Sequence, residues 1–537
     1  MKRIVITATP PTPNGDLHIG HLSGPYLNAD VYARYVRLQG DEPLYVSFSD
    51  HNQTYVVTTA ARNNEVPMAL ADRYADGIRE TLSMANIQTD TFHNPDERHS
   101  AFVQGFFSEL FAKGKLKKKT KPVLVNVATG EHVFESYLKG HCTVCFSETS
   151  GAICEACGHP NDATTIDSPR VSLAPDTPLE LREMELVYLE IEEYREQIKA
   201  FYDAKRGTWR PHLIALVDEL LSKPLADYPV TYRSSWGIPA PFPGCQGQVL
   251  NVWAEMFPGL VNAANLVAER DVNNAAGTLS AKSGWNDKSQ VVQFLGYDNS
   301  YFFALVHLAL AFASENKYAP TAFIVTNEFY ELDNFKFSTS KRHVIWGRDI
   351  LKDVPADLLR YYLCLSNPEG QKINFTLTGF RELTEKRLQA PWQSLLSNIL
   401  ESLQAHDLNT VVLPRVSSST RGSIYGQAQA RFAHFYAAEH FSLQGVAENF
   451  SQLLSWAANR AQNVRGLPSD AARSELADLL RLIGWTIPLV TSAVMPSFAN
   501  DVRRHLQLPT VQRWDEEPDA HVVRVADLTH LQRLLAF

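Results

Sequence analysis

The stretch MKRIVITATPPTPNGDLHIGHLSGPYLNADVYARYVRLQGDEPLYVSFSD, Met1 to Asp50, decides how the rest of the chain is read. Lys2–Thr9 is a β-branched run of strand length, closed by Pro10, Pro11 and Pro13. After the turn residues Asn14 and Gly15, the apolar positions Ile19, Leu22, Tyr26, Ala29 and Ala33 recur at helical spacing. Glu42–Asp50 reads as a second apolar strand ending in Asp50. Strand, glycine-containing turn, helix and strand open a parallel, doubly wound nucleotide-binding sheet, whose site lies at the carboxyl ends of its strands. His18 and His21 fall near the first of those ends, where a helix start presents free N–H groups to an anion. Such a pair can polarise phosphate, each imidazole donating to an oxygen as charge develops. Taken alone it also fits a structural role.

Outward from this stretch, 537 residues are enough for three or four structural units. The amino terminus has a basic tip, but its apolar run is short and broken by prolines, so it reads as a strand rather than a secretory signal. No apolar stretch approaches the roughly 20 residues that span a bilayer, and the expected location is cytoplasmic. A formal charge of −9 argues against a surface that grips nucleic acid throughout. The dense lysine cluster KGKLKKKTK, Lys113 to Lys121, reads as a solvated face before it reads as an RNA track. Helical patterns continue to about Ala112, and from about Lys115 to Asp227 an insertion interrupts the sheet. It carries the helix-like run LELREMELVYLEIEEYREQIKAFYDAK. Strand character returns in QVLNVWAEMF, VVQFLGYD and TAFIVTNEFYEL, and from DLLRYYLCLS onward the pattern is helical almost to the end.

Four of the six cysteines form Cys142-Thr-Val-Cys145 and Cys154-Glu-Ala-Cys157. Each C-x-x-C turn points two thiolates at one centre, and four soft ligands suit tetrahedral Zn²⁺. Two disulfides are the poorer alternative in a chain read as cytoplasmic. With all four positions filled by protein, such a zinc is structural. Cys245 and Cys364 read as core residues. A second polar segment, Lys336-Phe337-Ser338-Thr339-Ser340-Lys341, follows the last apolar strand, where lysine and hydroxyls can clamp the outer phosphates of ATP.

PNGDLHIGH, ADVYARYVRLQGDE, LKGHC with its second CEACG turn, NVWAE, FLGYDNSYFF, KFSTS and ADLLRYYL occur in one order over about the first 390 residues. In that order and spacing the chain resembles the class I aminoacyl-tRNA synthetases, and most closely the methionyl-tRNA synthetases. The resemblance implies an α/β Rossmann catalytic domain in two halves, 1–114 and 228–345, split by a zinc-knuckle insertion at 115–227. A stem-contact segment at 346–390 and an all-α helical bundle at 391–537, anticodon-binding in the family, would follow. It implies activation of an α-amino acid by ATP, with Mg²⁺, to an aminoacyl adenylate, and transfer to tRNA. His18, His21 and Lys336 match the residues that stabilise the departing pyrophosphate, with Ser338, Ser340 and Lys341 beside them. Gly20 matches the position that admits adenine. Gly296 and Asp298 match those that hold the ribose, and Asp50 the acid that binds the substrate's α-ammonium group.

The side-chain pocket departs from the family. Thr12 stands at a tyrosine position, Met256, Phe257 and Leu260 at alanine, proline and tyrosine positions, Asn299 at an isoleucine and Phe303 at a histidine; Trp253 is kept. Together these point to a substrate other than methionine, with a polar or modified side chain to partner Asn299. Thr339 replaces the second lysine of the phosphate loop and Tyr297 the lysine before Asp298, so slower activation is expected, with Lys341 as a substitute cation. In the helical region AANRAQNVRGLPSD keeps Asn459 and Arg460 but lacks the family's Pro-Trp, and Trp456 and Trp485 read as core, so reading of a methionine anticodon is in doubt. Three outcomes stay open. The acyl group passes to tRNA, or it passes to a small amine in an amide ligation, or activation has decayed and the chain binds and regulates. Retention of His18, His21, Asp50, Lys336 and Asp298 together speaks against decay. A monomer is the default.

Overall fold

The computed structural model describes residues 2–274, 284–337, 343–413, 424–515 and 520–535. At its centre is a parallel five-stranded sheet: β1 (Arg3–Ala8), β2 (Glu42–Phe48), β3 (Thr91–His93), β4 (Gln290–Gly296) and β5 (Phe323–Asn327), in the order β5-β4-β1-β2-β3. The order turns around at β1, so the crevice between the carboxyl ends of β1 and β4 is the switch point where such sheets bind ligands. The Leu27–Leu38 helix covers one face. Val252–Asn274 and His307–Ala313 cover the other.

β1 and β2 form where the alternation and β-branched runs place them, although β2 ends at Phe48 and Asp50 lies beyond it. Thr91–His93 adds a strand inside a stretch read as helical. At three residues it is too short to leave a pattern, and it is specified by pairing with Val46–Phe48. QVLNVWAEMF is not one strand. Gln248–Leu250 pairs antiparallel with Thr231–Arg233, and the helix then starts at Val252.

The insertion differs most from its sequence reading. Leu179–Leu189 is a strand, antiparallel to Leu116–Asn126 over its whole length, and only Arg195–Asp203 of the charged run is α-helical. Tertiary pairing overrides local spacing here. The paired strand is the lysine cluster itself. Lys117 bonds Glu190 and Glu193, Lys118 bonds Glu185, Lys119 bonds Glu190 and Asp227, and Lys121 bonds Asp227. These lysines meet acids of their own chain rather than forming a basic track. Three short strands, Leu138–Cys142, Glu148–Ser150 and Ile166–Val171, carry the cysteine turns.

Beyond β5, Tyr330–Leu332 pairs with Phe335–Lys336 on one side and with Ile373–Phe375 on the other. This small sheet fixes the start of the phosphate segment. The carboxyl-terminal region is helical, with Ala390–Ala405, Leu443–Gln462, Ser469–Arg481 and Pro496–His505 packed together, and one strand pair, Thr410–Leu413 with His521–Arg524. A single apolar core runs from Ile4 and Ile6 through Trp392 and Leu454 to Leu535, so sheet and bundle share one interior. No described helix is long and apolar enough to cross a membrane.

Candidate active site

A cleft of about 380 Å³ opens at the switch point. Its walls include Thr12, His18, Gly20 and His21 from the β1 connection, Asp50 and Gln53 after β2, Trp253 and Met256, Gly296, Asp298 and Asn299 after β4, and Lys336 and Phe337. The distant motifs of the sequence therefore converge on one cavity.

At the phosphate side His18 is the N-cap of the Ile19–His21 turn. The backbone N–H of His21 donates to Nδ1 of His18 at 3.3 Å, and that of His18 to Nδ1 of His21 at 3.2 Å. An Nδ1 that accepts leaves the proton of a neutral imidazole on Nε2. Desolvation in the cleft lowers His18 well below its ordinary value and His21 to about 4, with His21 and Lys336 lowering His18 further, which favours the neutral form of both rings. They stack at 3.6 Å, and His18 stacks on Phe337 at 4.5 Å. The pair thus offers two Nε2–H donors without a charge of its own. A Cβ on Gly20 would stand 3.0 Å from the His18 ring, so glycine there makes room for the stacked imidazole.

Lys336 bonds Glu155 of the second cysteine turn, with its ammonium 4.8 Å from the centre of the Phe329 ring. Asp298 is pushed up to about 6 by burial and by Glu155, with Lys336 opposing, and accepts from the Asn299 amide at 3.2 Å. A Cβ on Gly296 would collide with the Asp298 carboxylate at 2.5 Å. The Asn299 amide thus finds its partner on the Asp298 side. Tyr297 turns away from the cleft and stacks on His212 at 3.6 Å, whose Nδ1 meets Glu328 at 2.7 Å.

At the amino-acid end, Asp50 is 1% exposed. Thr12 donates to its Oδ2 at 3.4 Å, while Oδ1 has no partner among the described residues. Burial, then Glu255, then Glu135 raise its pKa well above the usual carboxylate range. Glu135, itself pushed up to about 7 by burial, accepts from Thr54 at 3.1 Å. Glu255 meets His99 at 3.0 Å and Asn52 at 2.8 Å. An unpaired acid beside two more demands a cation, and an ammonium group is one.

Trp253 stacks on Phe302 at 4.1 Å, and Met256 lines the cleft with it. Phe257, Leu260 and Phe303 do not reach the cleft. They are buried behind it, Phe257 against Phe106, Trp285 and His307, and Phe303 against His307. Ser338, Thr339, Ser340 and Lys341 lie outside the described residues. Sequence reasoning missed Gln53 and Glu155, both in the cleft wall. Gln53 stands three residues beyond Asp50, which is a usable signal. Glu155 meets Lys336 across 181 residues, and no local pattern announces that.

The four cysteine sulfurs lie within 4.8 Å of one another, with Cys142 and Cys157 at 3.8 Å and Cys145 and Cys154 at 3.5 Å. A tetrahedron of Zn–S bonds of about 2.3 Å needs sulfurs about 3.8 Å apart, so the cluster fits zinc. Cys245 and Cys364 are buried elsewhere.

The family model described as tRNA synthetases class I (M) matches residues 4–400. The chain belongs to the class I tRNA synthetases. Among curated relatives, the methionine–tRNA ligase of Chlorobaculum tepidum is 30% identical over 397 residues, 72% of this chain and 56% of the relative. That of Thermomicrobium roseum is 31% identical over 399 residues, covering 74% and 67%. The chain spans little more than half the length of several relatives it matches. Among solved structures, Mycobacterium tuberculosis methionyl-tRNA synthetase bound by methionyl-adenylate superposes with a TM-score of 0.74 at 17% identity, covering 98% of this chain and 99% of that one. At that identity the likeness speaks for the fold.

Proposed function

We propose that this synthetase activates an α-amino acid with ATP, as its Mg²⁺ complex, to an aminoacyl adenylate, and passes the acyl group to an acceptor in the cytoplasm. The observation that carries the reading is the pairing, in one cleft, of a buried carboxylate on Asp50 that faces no cation and has Oδ1 unmet among the described residues with two imidazoles held below their ordinary pKa and Lys336. Asp50 suits the α-ammonium. Asp298 suits a ribose, as an acceptor for its hydroxyls. The reaction brings a carboxylate onto an α-phosphate and releases pyrophosphate, so its barrier is lowered by holding the anions in line and stabilising the charge that departs. The Nε2–H groups of His18 and His21 donate to those oxygens without the desolvation cost of a buried cation. Lys336 adds the charge once its bond to Glu155 is exchanged for phosphate. The zinc knuckle would hold Glu155 and the insertion in place and take no part in the chemistry.

The relatives are methionine–tRNA ligases, and tRNA is the acceptor their name implies for this chain. Methionine is not the substrate we assign, because Met256, Asn299 and Thr12 rebuild the cleft wall. A small-amine acceptor is the second reading, favoured in the helical region by Arg460, whose guanidinium bonds Glu475 and Asp478 instead of offering a face to an unpaired base. Amino-acid-dependent ATP–pyrophosphate exchange across the standard amino acids and close analogues tests the proposal. Exchange with one of them, reduced about 100-fold or more in His18→Ala, is the expected result. Exchange with none would retire the adenylation reading.

A further inference from the structure

Gln53 is fully buried beside Asp50, whose ionised form its amide favours, yet neither its Nε2 nor its Oε1 makes a hydrogen bond of full geometry among the described residues. It is the N-cap of the Thr54–Asn63 helix, yet its side chain makes no cap bond. The amide instead lines the cleft, at the end where Asp50 leaves Oδ1 unmet. A buried amide with both functions unmet costs stability unless a ligand satisfies it. Trp253 and Met256 line the same cleft, while Phe257, Leu260 and Phe303 are buried outside its lining. Thr12 adds a hydroxyl to the same wall.

We infer that Gln53 reads the substrate's side chain, and that this side chain ends in a group that both donates and accepts hydrogen bonds, a hydroxyl or a carboxamide. The inference rests on the proposed activation of an amino acid and names the class of that amino acid. Asp50 takes the α-ammonium; Gln53 Oε1 accepts from the side-chain head group and Gln53 Nε2 donates to it. A thioether or alkyl side chain leaves the amide unmet and is rejected more than about 100-fold against its polar isostere.

The test uses the full chain and two readouts, pyrophosphate exchange and calorimetric binding of amino acids in the presence of a non-hydrolysable ATP analogue. The panel pairs serine, threonine, homoserine, asparagine and glutamine with alanine, 2-aminobutyrate, valine, leucine, norleucine and methionine. The expected result is preference for one polar member, with the ratio of its kcat/KM to that of its apolar isostere falling about 100-fold in Gln53→Ala. Gln53→Glu, nearly equal in volume, lacks the amide donor and must lose the same discrimination, which guards against a packing effect of the alanine. A uniform loss across polar and apolar members would put Gln53 on the α-ammonium or in the fold and overturn the inference. Preference for methionine overturns it while leaving activation standing. Polar-selective binding without exchange retires activation and leaves the inference standing; no binding and no exchange with any member overturns both.

Discussion

Asp50, Glu135 and Glu255 show how single residues set the pH behaviour of the cleft. Asp50 is raised by burial and by the other two acids, while Gln53 and Thr12 beside it favour its ionised form. A substrate ammonium prefers the ionised carboxylate, so amino-acid affinity falls as pH drops and Asp50 takes up a proton. Glu135→Gln removes one repulsive charge, and the affinity profile measured by calorimetry should move to lower pH; an unmoved profile would separate Glu135 from the site. The same change affects folding. Glu135 stands at about 7 when folded, against 4.5 ordinarily. A carboxyl raised by folding contributes stability below its unfolded value and loses it as pH rises through the folded one. Glu135→Gln is therefore expected to be more stable than the parent above pH 7, by about 3 kcal/mol at most, with the gap closing below pH 4.5. Urea unfolding at pH 5 and pH 8 checks this. Of these residues, Asp50's place in the cleft was legible because it follows the strand that neighbours the histidine connection. Glu135 was not, because its effect on Asp50 depends on folding the insertion back onto the sheet.

At the scale of elements, the opening strand, helix and strand were legible because each buries one face and its pattern says which. The Leu179–Leu189 strand was not, since its acids read as a helical face until Leu116–Asn126 supplies lysines and backbone partners. The knuckle was legible from spacing alone as a four-cysteine cluster fit for a metal, but not as a wall of the cleft. Its place there has a consequence for the phosphate strand. Glu155 holds Lys336, and on the proposed reading ATP displaces it. Glu155→Gln should lower the KM for ATP a few fold, since both partners are about half exposed and the pair is worth little in solvent. Cys145→Ser should lose bound zinc, measured by plasma mass spectrometry, and shift the ATP KM in the same direction as Glu155 loses its support. An ATP KM that rises in Glu155→Gln would mean that Glu155 holds Lys336 in its working position instead of competing with phosphate.

Across the whole molecule, the sheet and the helical bundle are joined through one buried cation. Arg360, 2% exposed, bonds the Asp30 carboxylate at 2.7 Å and donates to the carbonyls of Ala85, Asn86, Ala493 and Val494. Asp30, 1% exposed, also accepts from Arg34 and from the backbone of Gln88. The contacts span the Leu27–Leu38 helix, the turn before β3 and the bundle before Pro496, so the clamp fixes the bundle against the half of the sheet that carries the histidines. The sequence marked Arg360 only as part of ADLLRYYL, because its acceptors lie more than a hundred residues away on both sides. Removing Arg360 takes one of the two cations from Asp30, leaving Arg34, and leaves the four carbonyls without this donor, at about 3–5 kcal/mol. Arg360→Met is expected to lose that much in urea unfolding and to separate the tryptophan fluorescence transition into two steps as bundle and sheet uncouple. A single variant within about 1 kcal/mol of the parent would show that the shared apolar core alone joins the two halves.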